Sequence, residues 1–152
     1  MPARPDFNLF TFQTLPMSPE QILEAIQHSM LQTMGESLGI QMVSAENGKL
    51  VATMPVDART RQPFGLLHGG ASVALAETLG SIGANMLAGP GKMAVGMEIN
   101  ANHLRSVREG LVTGTAVVVH QGQTSQVWEI KITDREGRLC CISRFTAAVR
   151  HA

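Results

Sequence analysis

Apolar positions recur along the first third of the chain in two different rhythms. Ile22, Leu23, Ile26, Met30, Leu31 and Met34 fall three or four apart, the spacing of one helix face, and predict a helix near 19–34. Ser18 is placed to cap it, with Pro19 at the first helical position and Gln21 three residues after Ser18 as the reciprocal partner. From Leu38 the rhythm shortens to two. Leu38 to Ala45 reads as a strand, Asn47-Gly48 as a two-residue hairpin turn, and Lys49 to Pro55 as the return strand, with Leu50, Ala52 and Met54 on one face.

A third stretch has almost no polar positions to give it a rhythm. From Gly70 to about Ala88 nearly every residue is apolar or small and only Glu77 is charged. Proline and long β-branched runs are absent, so a helix is predicted. With no polar face it should be enclosed on all sides. At roughly 1.5 Å per residue it spans just under 30 Å, the width of a small domain. Gly89-Pro90-Gly91 ends it. Between the hairpin and this helix lies a polar loop, Val56 to Leu67.

Period-two segments return after the helix: Lys92 to Arg105, Leu111 to Gln121, Ser125 to Thr133 and Arg138 to Val149, with turns at 108–110 and 134–137. The sum is α+β, a mostly antiparallel sheet of five or six strands with helices on one face and the enclosed helix lying across it. Six short strands do not cover a helix bare all round, so a second subunit is expected to complete the enclosure. Residues 1–17 hold three of the seven prolines and no periodicity, and are expected to form an arm outside a single domain over 18–152.

Composition narrows the function classes. The 152 residues carry a formal net charge of zero with no block of like charges, which argues against nucleic acid and anionic membranes as partners. Apolar runs are too short to span a bilayer and no signal-peptide pattern opens the chain. Cys140 and Cys141 are adjacent on a strand, pointing to opposite faces, and make neither a disulfide framework nor a zinc spacing. A reducing cytoplasm fits this usage. His68, His103 and His120 show no ligand spacing, so no metal is expected.

The candidate chemistry sits on the enclosed helix. A carboxylate amid apolar residues must be paired, protonated or facing a cavity. Glu77 is either a structural group bonded to a hydroxyl such as Thr78 or Ser81, or a carboxylate held in an apolar cleft for chemistry. Gly69 stands at the helix N-terminus, where free N–H groups favour negative charge and a missing side chain admits a carbonyl oxygen. His68 and Gln62 could add donors or could be ordinary loop residues. Ser72 lacks a Gly-x-Ser-x-Gly setting, which argues against a serine hydrolase. Arg105, Arg108, Thr124, Ser125 and the backbone of the Gly122 turn could hold phosphates.

The segment from Arg59 to Ala71, including Gln62-Pro63-Phe64 and His68-Gly69-Gly70, followed by Leu75-Ala76-Glu77, resembles the hotdog-fold acyl-CoA thioesterases. Within that family the similarity is to the branch of dihydroxynaphthoyl-CoA thioesterase and the enterobactin proofreading thioesterase. The segments from Gly96 to Ser106, Val127-Trp128 and Gly137 to Cys141 support it, over about 34–149. The resemblance implies an antiparallel sheet wrapped around a long helix, as a dimer or a dimer of dimers. It implies Glu77 as general base or nucleophile, Gln62, His68 and Gly69 around the thioester carbonyl, and Ser81 assisting the water. Gly96, His103, Leu104, Arg105 and Ser106, and the turn His120, Gln121, Gly122, Gln123, Thr124 and Ser125, correspond to pantetheine and nucleotide contacts. Helix residues near Glu77 and Phe64 or Met86 would line an acyl pocket, for an aryl group by resemblance. CoA is then part of the substrate, and no separate cofactor is needed because thiolate is a good leaving group.

Glu77 lies nine positions beyond His68, roughly 13 Å along a helix. One chain cannot bring both to one carbonyl. Two antiparallel helices side by side could, giving two sites per dimer. Competing readings are a hotdog hydratase or dehydratase, and a non-catalytic acyl-CoA-binding module. The histidine-to-glutamate spacing with Gln62 disfavours the first, and a carboxylate inside the helix disfavours the second.

Overall fold

A computed structural model describes residues 17–152. The expected arm at 1–17 therefore lies outside the described residues except for Met17. The elements are α1 (Pro19–Ser29), α2 (Met34–Ser37), β1 (Gln41–Glu46), β2 (Lys49–Pro55), α3 (Gly69–Leu87), β3 (Lys92–His103), β4 (Leu111–Gln121), β5 (Ser125–Thr133) and β6 (Leu139–His151). All strand pairs are antiparallel, in the order β1-β2-β4-β5-β6-β3. The third strand in sequence thus forms one edge of the sheet, and β1 forms the other.

The first helix is shorter than its apolar stripe. Ser18 and Gln21 form the expected capping box, but Gln32 adopts φ 58° and splits the segment. Thr33 is responsible. Its hydroxyl donates to Met30 O and accepts from Gly35 N, offering the backbone an alternative to helix and starting α2. Leu38 caps α2 rather than opening β1, which begins at Gln41.

Helix α3 packs on the inner face of the sheet through Leu75, Leu79, Ile82 and Ala84, against Trp128, Phe145, Ile130 and Leu50. Close approach needs glycine: a Cβ at Gly83 would sit 2.6 Å from the Trp128 ring. The buried Gln126 accepts from Trp128 Nε1 and donates to Ala84 O, tying the end of the helix to β5. Enclosure on all sides is not reached within one chain. Val73, Ala74, Glu77, Thr78 and Ser81, spaced as one helix face, are only partly buried. A single sheet covers one side of a helix, and this stripe is left over.

Both cysteines are buried; β6 carries an irregularity where Cys140 falls, and the 104–105 backbone bonds to Cys140 O. No described helix is long and apolar enough to cross a membrane.

Candidate active site

The loop before α3 is built from the inside out. Thr60 is buried, and its hydroxyl donates to Pro55 O (2.6 Å) and accepts from Asp57 N (3.1 Å). Arg59 pairs with Asp57 at 2.6 Å, and this guanidinium holds the Asp57 carboxyl down at about 2. Thr60 O then receives His68 N–H at 2.8 Å, fixing the start of the helix. Gln62 closes its own turn, since its backbone N–H reaches Leu66 O and its side-chain oxygen accepts from Phe64 N–H. That bond occupies the carboxamide oxygen and leaves the NH2, a pure donor, to bond elsewhere.

His68 is the N-cap of α3. Its Nδ1 accepts from Gly70 N–H at 2.8 Å, so a neutral ring carries its proton on Nε2 and offers a donor to solvent. Gly69 N–H has no acceptor among the described residues. A Cβ at Gly69 would lie 2.8 Å from His103 Nε2, so the histidine ring roofs a backbone left bare. Gln62, Gly69, Ser72, His103, Leu104, Arg105, Ser106 and Cys140 line one cavity of about 350 Å³. His68 faces a separate hollow of about 280 Å³ with Arg59, Met34 and Ala74.

The carboxylate stands elsewhere. Glu77 Oε1 lies where a side chain at Gly96 would be, 2.7 Å from the ideal Cβ position, and the Phe145 ring occupies the same notch at 2.9 Å. Burial pushes the Glu77 pKa up, opposed by a hydrogen bond from Ser81. Strand β3 bulges at Met97, directly after this glycine. The half-open stripe of α3 is the same stripe that carries Glu77 and Ser81.

Three comparisons decide the family. The thioesterase superfamily model matches residues 64–141. The chain is 51% identical over 127 residues to the proofreading thioesterase EntH of Cronobacter turicensis, covering 84% of this chain and 93% of the relative. It is 52% identical over 124 residues to the 1,4-dihydroxy-2-naphthoyl-CoA hydrolase of Escherichia coli, covering 78% and 91%. The crystal structure of a thioesterase from Haemophilus influenzae superposes with a TM-score of 0.82 at 43% identity, covering 92% of this chain and 95% of that one. The chain belongs to the thioesterase superfamily.

It is a thioester hydrolase with a hotdog fold. Within one chain of this thioesterase the expected site residues separate into groups. Gln62 and Gly69 meet the 103–106 segment in the large cavity. Glu77, Ser81 and Gly96 meet at the middle of α3, and Gly96 does not line that cavity. The 120–125 turn sits at the opposite end of α3, where Gln121 Nε2 donates to Leu87 O and Thr124 O accepts from Val149 N–H. Phe64 stands 84% exposed on the loop. Sequence reasoning passed over Ser72 and Cys140 as cavity walls. Ser72 was legible as the polar residue one turn beyond Gly69, whereas Cys140 reaches the cavity only through its irregularity in β6. Among the described residues no group of His, Cys, Asp or Glu could hold a metal ion.

Proposed function

We propose that the protein hydrolyses an acyl-CoA thioester at a site shared between two copies of the chain. The observation that carries this reading is the separation of the donor end of α3 from its carboxylate. Gly69 N–H, His68 Nε2–H and the Gln62 amide are donors at one end, and Glu77 lies roughly 12 Å further along the axis. Antiparallel packing of two α3 helices through the half-open stripe supplies Glu77 of one chain to the donors of the other. Strand β3, the free edge on the Glu77 side, would pair with its counterpart and carry the sheet across both copies.

In this site the partner subunit's Gly69 and His68 polarise the thioester carbonyl, and the developing oxyanion gains most from donors already in place. Glu77, with Ser81 beside it, either attacks the carbonyl to form a mixed anhydride that water then hydrolyses, or takes a proton from the attacking water. By either route the C–S bond breaks and CoA leaves as thiolate. The pantetheine arm would run past the partner subunit's 103–106 segment, in the cavity that opens at the partner subunit's Gly69. With the helices antiparallel, this chain's own 120–125 turn, at the Leu87 end of α3, projects beyond the partner subunit's donor end, where the nucleotide would lie. The relatives' named substrates favour an aryl acyl group.

Mixing tests the reading. Glu77→Ala and Gly69→Ala are each expected to be inactive in thiol release from an aroyl-CoA, the second because its Cβ meets His103. After subunit exchange, one site in each mixed dimer has an intact donor set and an intact Glu77. Activity should return to about half of wild type per mixed dimer, if the two sites work independently. Verified exchange without recovery would exclude the shared site.

A further inference from the structure

The outward groups of β3 are not all free. Asn85, near the end of α3, reaches over the sheet edge: its Oδ1 accepts from Ala94 N–H at 2.9 Å and its Nδ2 donates to Ala94 O at 3.0 Å. A residue's N–H and C=O leave an antiparallel strand on the same side, and the side alternates along the chain. Ala94 therefore faces away from β6, and a helix side chain fills the place of the next strand. Gly96 faces the same way. The one-residue bulge at Met97 resets the alternation, so the outward positions beyond it are Ile99, Ala101 and His103.

This run, free among the described residues, constrains how a second copy can add. A symmetric antiparallel pair using all of it places the twofold axis at Asn100. Ile99 then faces the partner subunit's Ala101, and Gly96 with the bulged Met97 faces the partner subunit's His103. Those two landmarks matter, because Glu77 lies against Gly96 and Gly69 lies against His103. The same register thus sets Glu77 beside the partner subunit's Gly69. Were Ala94 available as well, pairing could extend by one step to Ala94 against the partner subunit's His103. The axis would move to Ile99, and the chains would slide by two residues, about 7 Å.

We propose that Asn85 is a register stop. By sealing β3 at Ala94 it confines the second copy to Gly96–His103 and aligns the two halves of the active site, acting as a positioning residue without touching substrate. The inference rests on the shared-site reading above and adds the register to it. Asn85 also donates to Ser81 O at 2.9 Å, which fixes its carboxamide against the turn of α3 that carries the Glu77 partner.

Cysteine cross-linking reads the register directly. With the axis at Asn100, Asn100→Cys faces itself across the dimer at a separation a disulfide can bridge, while Ile99→Cys does not. Mild oxidation should link the first variant and not the second. In an Asn85→Ala background the preference should weaken or reverse, with linkage of Asn100→Cys slowed at least 10-fold. Without the added cysteines, Asn85→Ala should lower kcat at least 10-fold with KM changed less than about 3-fold. Unchanged linkage and unchanged kcat in Asn85→Ala would overturn the proposal. So would preferential linkage through Ile99→Cys with Asn85 intact, an outcome that needs no Asn85 variant to fold. If mixing restores activity but Asn100→Cys fails to link, the register is wrong and the shared site stands. If both fail, both readings fall.

Discussion

The two edges of the sheet are finished with the same chemistry and left in opposite states. At β1, Gln27 of α1 accepts from Met42 N–H at 2.8 Å and donates to Ile40 O at 3.2 Å, and the rest of the helix packs alongside the strand. At β3, Asn85 makes a similar pair of bonds, both to Ala94, and past Gly96 the strand runs on with no partner strand among the described residues, with Val95 and Met97 exposed. An exposed ladder invites pairing, and proteins ordinarily blunt it. Here one edge has a helix packed alongside it, and the other is met by a helix side chain only at its start. A carboxamide that satisfies a strand edge is therefore a stabilising device at β1 and a boundary marker at β3. The difference is what lies next to each edge: α1 on one side, the Glu77 notch on the other.

The sharpest way to break this contrast is at the carboxylate itself. Glu77→Gln should lower kcat by about 100-fold or more, measured by thiol release, with the assembly unchanged in sedimentation. Its stability should move the other way. A carboxyl whose folded pKa is raised contributes stability that is full below its unfolded pKa and is lost as pH rises through the folded pKa. The amide avoids that loss, so Tm at pH 7 should hold or rise, and the gain should vanish near pH 4. A large fall in Tm with an unmoved kcat would make Glu77 a structural group.

Next in size is Gly96→Ala. The added methyl would sit 2.7 Å from Glu77 Oε1 and 2.9 Å from the Phe145 ring. Since the ring is fully buried, the carboxylate must move, and kcat should fall about 10-fold with KM for acyl-CoA little changed, as for a group that acts in the transition state. A matching rise in KM instead would make Gly96 a substrate contact.

A smaller effect is expected in the pH profile. Burial raises the Glu77 pKa and the Ser81 hydroxyl lowers it. The active form is ionised, so activity should fall as pH drops through a midpoint above the ordinary value of about 4.3. Removing the hydroxyl in Ser81→Ala should move that midpoint further up, giving the largest losses in mildly acidic buffer and the smallest at high pH. A downward move would reverse the assigned roles.

The smallest effect belongs to the sealed edge. Gln27→Ala strips the partners from Met42 N–H and Ile40 O, at about 1 kcal/mol for each bond. Tm should drop slightly while kcat and KM stay at wild-type values. Any loss of turnover would show that β1 also serves the site, and the contrast between the edges would fail.

Much of the molecule was legible before folding because its signals are local. The apolar run with one charge located α3 and Glu77, the capping box located α1, and Asn47-Gly48 located the first hairpin. The residues around His68 pointed to a donor site at a helix start. The distance between His68 and Glu77 followed from helix rise, and with the roles the resemblance implies it raised the expectation of a second chain. Local signals also misled where a side chain competed with the backbone: the stripe from Ile22 to Met34 continues through Gln32, but the Thr33 hydroxyl breaks the helix beneath it.

What the chain could not show by itself is which distant residues become neighbours. Strand order places β3 beyond β6 rather than beside β2, and periodicity carries no record of that order. From it follow the free edge, the notch that Gly96 makes for Glu77, and the hold of Asn85 on Ala94. The same order separates 103–106 and 120–125, which belong to one expected binding region, to opposite ends of α3. A repeat of two or 3.6 residues fixes which face a side chain occupies. Only the packing of that face against another, set by total burial and by every strand pairing at once, decides what it meets.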